Sequence, residues 1–86
     1  MKIYKIFDNG GKTIDRYTVV FAEKQFDVST GRRLNIELGL SVDPTWPLGF
    51  SQWGLCRIDA DMGDEIKFSD LPENVQKHVL ERMEED

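Results

Sequence analysis

Only one stretch of this chain repeats its apolar side chains at helical spacing. Leu71, Val75, Val79 and Met83 fall at i, i+4, i+8 and i+12, a stripe along one helix face that has to be buried against something else. Asp70 three residues before Glu73 reads as a capping box, and Pro72 fits the first turn, where its missing N–H costs nothing. A helix over about 71 to 84 is therefore expected. One helix in 86 residues needs a sheet to lie on, so the expected fold is a single α+β domain spanning residues 1 to 86.

The remaining segments supply strands. "KIYKIF" and "KTIDRYTVVF" flank an Asn-Gly-Gly turn, the clearest hairpin signal in the chain. A three-residue loop with Gly11 in the left-handed position pairs Ile6 with Ile14, Lys5 with Asp15, Ile3 with Tyr17 and Met1 with Val19, matching apolar with apolar and plus with minus. Ile3, Phe7, Tyr17, Val19 and Phe21 then share one face. Residues 22 to 33 lack a period and read as a connection with a turn at Ser29 to Gly31. "LNIEL" alternates strictly and predicts a third strand over about 34 to 40. "LCRI" and "EIKF", joined by "DADMGD", predict a short second hairpin. The sheet is expected to be small and antiparallel.

Between the third strand and that second hairpin lies "DPTWPLGFSQWG", residues 43 to 54, with both tryptophans of the chain. Pro44, Pro47, Gly49 and Gly54 forbid a continuous helix or central strand there, which leaves a structured loop. One reading folds Trp46, Leu48, Phe50 and Trp53 back over the open side of the sheet; the other leaves one ring out as a partner anchor. Trp46, set between two prolines, is then the expected exposed ring, and Trp53, close to the strand at Leu55, the expected core member. An exposed indole is a strong anchor for a protein partner.

The formal charge of −5 is unevenly spread. Residues 1 to 33 carry seven basic and four acidic side chains, while residues 34 to 86 carry twelve acids against four bases. Non-specific nucleic-acid binding needs the opposite sign, so no direct nucleic-acid contact is expected. A partner with a basic surface fits better. Cys56 is the only cysteine, so an intrachain disulfide is excluded, consistent with a reducing compartment. "MKIYKIF" reads as a native start with no signal segment, and no apolar run approaches membrane-span length.

Three blocks, "GGKTIDRYTVVF", "LGLSVDPTWPLGFSQWG" and "IKFSDLPENVQKHV", resemble those of small uncharacterised proteins carried by bacteriophages, prophages and plasmids. The resemblance spans most of the chain except residues 23 to 33 and carries over no catalytic or binding residues. It implies a context: small acidic proteins of mobile elements often bind and inhibit host proteins, anti-CRISPR and anti-restriction proteins among them. It also implies the cytoplasm of a bacterial host.

Catalytic and metal motifs are weak. Asp59, Asp61, Asp64 and Glu65 invite a calcium reading, but the fifth position of that loop is Gly63 and the sixth is Asp64 where glycine is needed, so an acidic turn is expected. Cys56 and His78 are the only thiol and imidazole, and Cys56 sits in a predicted strand where a buried cysteine is the usual occupant. No G-x-S-x-G, H-E-x-x-H or phosphate-binding glycine loop occurs, and no cofactor is expected. The expected function is non-enzymatic occlusion of a protein surface. Trp46, Phe50 and Gln52 are the expected loop contacts, and Asp59, Asp61, Asp64 and Glu65 the electrostatic part; the tail acids Glu81, Glu84, Glu85 and Asp86 either join these in one negative face or form a merely solvated one. Two rival readings stand beside it: a small enzyme or metal protein using Cys56, His78 and the acidic turn, and a domain that assembles with itself through the aromatic loop.

Overall fold

The computed structural model describes residues 1–85. Five strands, β1 (Ile3–Asp8), β2 (Tyr17–Asp27), β3 (Arg32–Leu40), β4 (Ser51–Cys56) and β5 (Asp64–Ile66), form one sheet in the order β4-β3-β2-β1-β5. Every neighbouring pair is antiparallel. Helix α1 (Glu73–Met83) lies on one face. Its stripe behaves as the spacing predicts: Leu71, Val75 and Val79 are buried with Ile6, Tyr17, Val19, Phe21, Leu38 and Leu40, and Met83 packs against them. Each such buried side chain contributes about 1.5–3 kcal/mol relative to exposure.

The helix starts later than the capping-box reading places it. Pro72 pushes the residue before it out of the helical region, and Leu71 is extended at φ −71°, ψ 147°. Asp70 instead accepts the Lys67 N–H at 2.9 Å and closes a short 3-10 turn over Phe68–Asp70. Pro72 takes the N-cap position, and its carbonyl accepts the Gln76 N–H at 2.9 Å.

The first hairpin forms in another register. Asp8 pairs with Tyr17, Ile6 with Val19 and Ile3 with Phe21, so the expected pairs Ile6–Ile14 and Lys5–Asp15 do not form. The connection runs from Asn9 to Arg16, closed by the Asn9 N–H on the Arg16 carbonyl at 3.0 Å. Its own polar groups stabilise it: the Asn9 side-chain oxygen accepts the Gly11 and Lys12 N–H groups, and its amide donates to Thr13. These bonds compete with extending the ladder. A bulge between Ile3 and Lys5 puts Ile3 and Ile6 on the helix face. Phe7, expected with them, is buried on the outer face with Val20.

Residues 22 to 27 extend β2 in place of the expected connection, and the turn to β3 closes with the Gly31 N–H on the Asp27 carbonyl at 2.9 Å. Gly31 has φ +68°, the left-handed geometry glycine adopts at little cost. The expected second hairpin is absent: β4 and β5 occupy opposite edges of the sheet. Residues 57 to 63 span four strand spacings, roughly 19 Å. They cross the outer face, where Ile58 borders Tyr4, Ala22 and Asn35. This crossing lies over the side of the sheet that carries Phe7 and Val20.

Candidate binding cleft

Three connections meet at one end of the sheet: the Asn9–Arg16 loop, the residues 41–50 loop, and the end of the crossing segment entering β5. The 41–50 loop is stiff for reasons its residues make plain. Ser41 and Phe50 close its base, the Ser41 N–H donating to the Phe50 carbonyl at 2.9 Å and the buried Ser41 hydroxyl accepting the Phe50 N–H at 2.9 Å. Inside it the Gly49 N–H donates to the Trp46 carbonyl at 2.7 Å. A Cβ on Gly49 would run into the Asp43 carbonyl, so this close turn requires glycine. Asn74 of α1 donates to the Val42 carbonyl at 3.0 Å, fastening the loop to the helix. Pro44 turns inward and is buried, and Trp46 turns out.

Across from it stands the hairpin loop, with Ile14 and Arg16 facing the cleft of about 310 Å³ between them. Four large apolar side chains line this space while exposed to water: Ile14 at 60%, Val42 at 51%, Trp46 at 55% and Leu48 at 69%. Arg16 supplies the polar wall. Its guanidinium is held by Asp8 through a fork, Nε to Oδ1 at 2.9 Å and Nη2 to Oδ2 at 3.2 Å. The hydrogen bond from Arg16 keeps the Asp8 carboxyl below its ordinary range.

The two tryptophans part as their neighbours imply. Trp53 packs against the core, its ring 5.6 Å from that of Phe21 and under the Arg82 guanidinium at 5.4 Å. Leu48, expected to fold inward, is on the cleft. Phe50 is half-buried and stands over Gly39, where an added Cβ would meet its ring at 3.3 Å. Gln52 is exposed on the outer side of β4. Of the seven residues chosen from sequence, only Trp46 lines the cleft.

Asp59, Asp61, Asp64 and Glu65 do not join the cleft, where the acidic lining residue is Asp43. Asp59 caps a short 3-10 turn by accepting the Asp61 N–H at 2.9 Å, and Glu65 pairs with Lys5 at 3.3 Å on the edge remote from Gln52. Asp64 lies nearest, across from Asp8 and bordering Arg16. Of the two readings of the tail acids, the one that joins them to the acidic turn in a single negative face is not met among the described residues. The crossing segment lies on the outer face and α1 on the other; Asp86 lies outside the described residues. Ile14, Val42 and Leu48 are the cleft residues that sequence reasoning missed as contacts. The available signal was their apolar character beside turn-forming neighbours, which marks a loop but not the surface it shares.

Cys56 and His78 are not brought together. Cys56 faces the outer side, where burial, then the charge and hydrogen bond of Glu37, push its thiol up to about 12. His78 sits under the helix side of β4, its Nε2 2.7 Å from the Ser51 hydroxyl. Burial, with Arg82 nearby, holds its imidazole below the ordinary range. Among the described residues no three His, Cys, Asp or Glu side chains are grouped to hold a metal ion, and no helix is long and apolar enough to cross a membrane. No protein-family model, curated protein or solved structure matches the chain.

Proposed function

We propose that this chain is a non-enzymatic binding protein that seats an apolar element of a protein partner in the cleft between its two loops and thereby occludes the partner's surface. The observation that carries this reading is the convergence of Ile14, Val42, Trp46 and Leu48, each more than half exposed, on one cleft. Contiguous apolar surface of this kind costs solubility and marks interaction sites. The stiffness of the loop supports it, since a pre-ordered anchor loses little entropy on binding. The net negative charge of the chain favours a partner with a basic surface, opposite charge speeding encounter at long range while the apolar cleft makes the contact. Such a device suits the small inhibitors that mobile elements direct against host defence, anti-CRISPR proteins included, the context that the sequence resemblance implies.

The test is capture from a bacterial lysate with wild type, Trp46→Ala, Leu48→Ser and, as a control on the far side, Leu80→Ala, followed by titration of the captured protein. Loss of a hot-spot indole costs about 2 kcal/mol, roughly thirtyfold in Kd. A specific protein lost with both cleft variants and kept by Leu80→Ala supports the reading. Equal recovery by all four chains defeats it.

A further inference from the structure

The two edges of the sheet are built differently. β5 is three residues long and begins with two acids, Asp64 and Glu65, the short charged edge that resists pairing. β4 is six residues long, "SQWGLC", with no charge and no proline. None of its residues is fully buried, and clefts border it on both faces at Trp53, Gly54 and Leu55. Its hydrogen-bonding phase follows from its partner. Ser41 donates to Phe50, and the pairs Gly39–Gln52, Glu37–Gly54 and Asn35–Cys56 continue in step. Residues 52, 54 and 56 therefore direct their main-chain groups to β3, while Ser51, Trp53 and Leu55 direct theirs away from the sheet.

We infer that the β4 edge pairs antiparallel with β4 of a second copy, joining the two sheets about a twofold axis at Trp53. In this register Ser51 meets Leu55 of the second copy, Trp53 meets its equivalent, and Gln52 faces Gly54. The strand is its own complement for three reasons. No charge is carried into the junction. Gly54, with no side chain of its own, lets the Glu37 side chain lie over the edge strand, its Oε1 3.1 Å from where a Cβ would be, on the face where the incoming Gln52 sits. The Gln52 amide then donates toward the half-buried Glu37 carboxylate, a hydrogen bond that the carboxylate charge strengthens. On the helix face α1 reaches β4 through His78 at Ser51 and Arg82 over Trp53, whereas the outward main-chain groups of Ser51, Trp53 and Leu55 point along the plane of the sheet, where a second strand would add.

Sedimentation equilibrium between about 5 and 500 µM tests the inference, since mass action fills such a dimer with rising concentration. The expected result is a species of twice the chain's 10.0 kDa. Gln52→Glu places a carboxylate against Glu37 of the other copy and is expected to raise the dimer dissociation constant at least tenfold, about 1.4 kcal/mol. Gln52→Lys, equally exposed, is expected to keep or tighten the dimer. Leu55→Pro removes only an outward N–H and is expected to give a folded monomer by circular dichroism. A monomer throughout the range, a dimer indifferent to Gln52→Glu, or equal loss with Gln52→Glu and Gln52→Lys would each overturn it. So would a dimer dissolved by Trp46→Ala, which leaves β4 intact and belongs to the cleft.

Discussion

The Ser51 hydroxyl and the His78 imidazole stand 2.7 Å apart, a side-chain tie between β4 and α1. Serine can donate or accept, so this hydrogen bond survives protonation of the ring; Ser51→Ala is expected to cost about 0.5–1.5 kcal/mol. The pH response comes from elsewhere. Burial and Arg82 hold the imidazole below its ordinary range, so the unfolded chain takes the proton first and stability is lost as pH falls from about 6.5 through the folded value.

Glu37 acts in the opposite sense. Burial raises its carboxyl above the ordinary range, so the folded chain takes the proton first, and that contribution is lost as pH rises through the folded value. Glu37 acts upward from the unfolded glutamate value of about 4.3 and His78 downward from the unfolded histidine value of about 6.5, so the two act in opposite senses. Relative to wild type, thermal melts are expected to lose a component that rises with pH in His78→Gln and one that falls with rising pH in Glu37→Gln. Parallel profiles in both variants would contradict the assignment.

Cys56 offers a chemical readout of the outer face. With its thiol pushed up to about 12, almost none is thiolate at neutral pH, and the thiolate is the reactive form. Alkylation by iodoacetamide at pH 8 is expected to be at least tenfold slower in the folded chain than in denaturant. Glu37→Gln removes the neighbouring charge and is expected to speed it. Because the unfolded thiol titrates first, stability is expected to fall above about pH 9, a decline that Cys56→Ala should abolish.

What was legible in the sequence was local. The Leu71, Val75, Val79 stripe and the alternation of Tyr17, Val19 and Phe21 each record a face, and both faces form. The separation of Trp46 from Trp53 followed from the prolines flanking the first. Pairing between distant segments was not legible. The first register turned on polar bonds from Asn9 and Thr13 inside the loop, which outweighed the Lys5–Asp15 match; Lys5 found Glu65 instead. Proximity in sequence pairs the strand after Gly63 with β4, whereas the crossing carries it to the far edge. That slip of register is what frees Ile14, so the cleft could not be seen until the loop was.

Gly49 and Gly31 separate loop shape from stability. Gly31 has φ +68° with open space around it, so Gly31→Ala meets only the left-handed penalty, about 1–2 kcal/mol. Gly49→Ala drives a methyl into the Asp43 carbonyl and is expected to cost about 1–3 kcal/mol as overpacking does. The two are comparable in stability and differ in consequence. In a Trp53→Phe background, acrylamide quenching of Trp46 is expected to change with Gly49→Ala and stay the same with Gly31→Ala.

Apolar side chains held for binding should be dispensable for folding. Ile14 and Leu48 keep most of their surface in water, so Ile14→Ser and Leu48→Ser forgo little burial and are expected to change stability by no more than about 0.5 kcal/mol. Leu38, wholly enclosed among the helix-side residues, is the contrast: Leu38→Ala is expected to cost about 2–5 kcal/mol, a large share of what a domain of this size possesses. Denaturant titrations of the three variants check the ranking, and binding of an apolar dye checks the cleft. Dye binding reduced in the two serine variants with midpoints unmoved is the expected pattern. A large loss of stability on replacing Ile14 or Leu48 would mean that these residues serve the fold, and the cleft would lose its claim as a recognition surface.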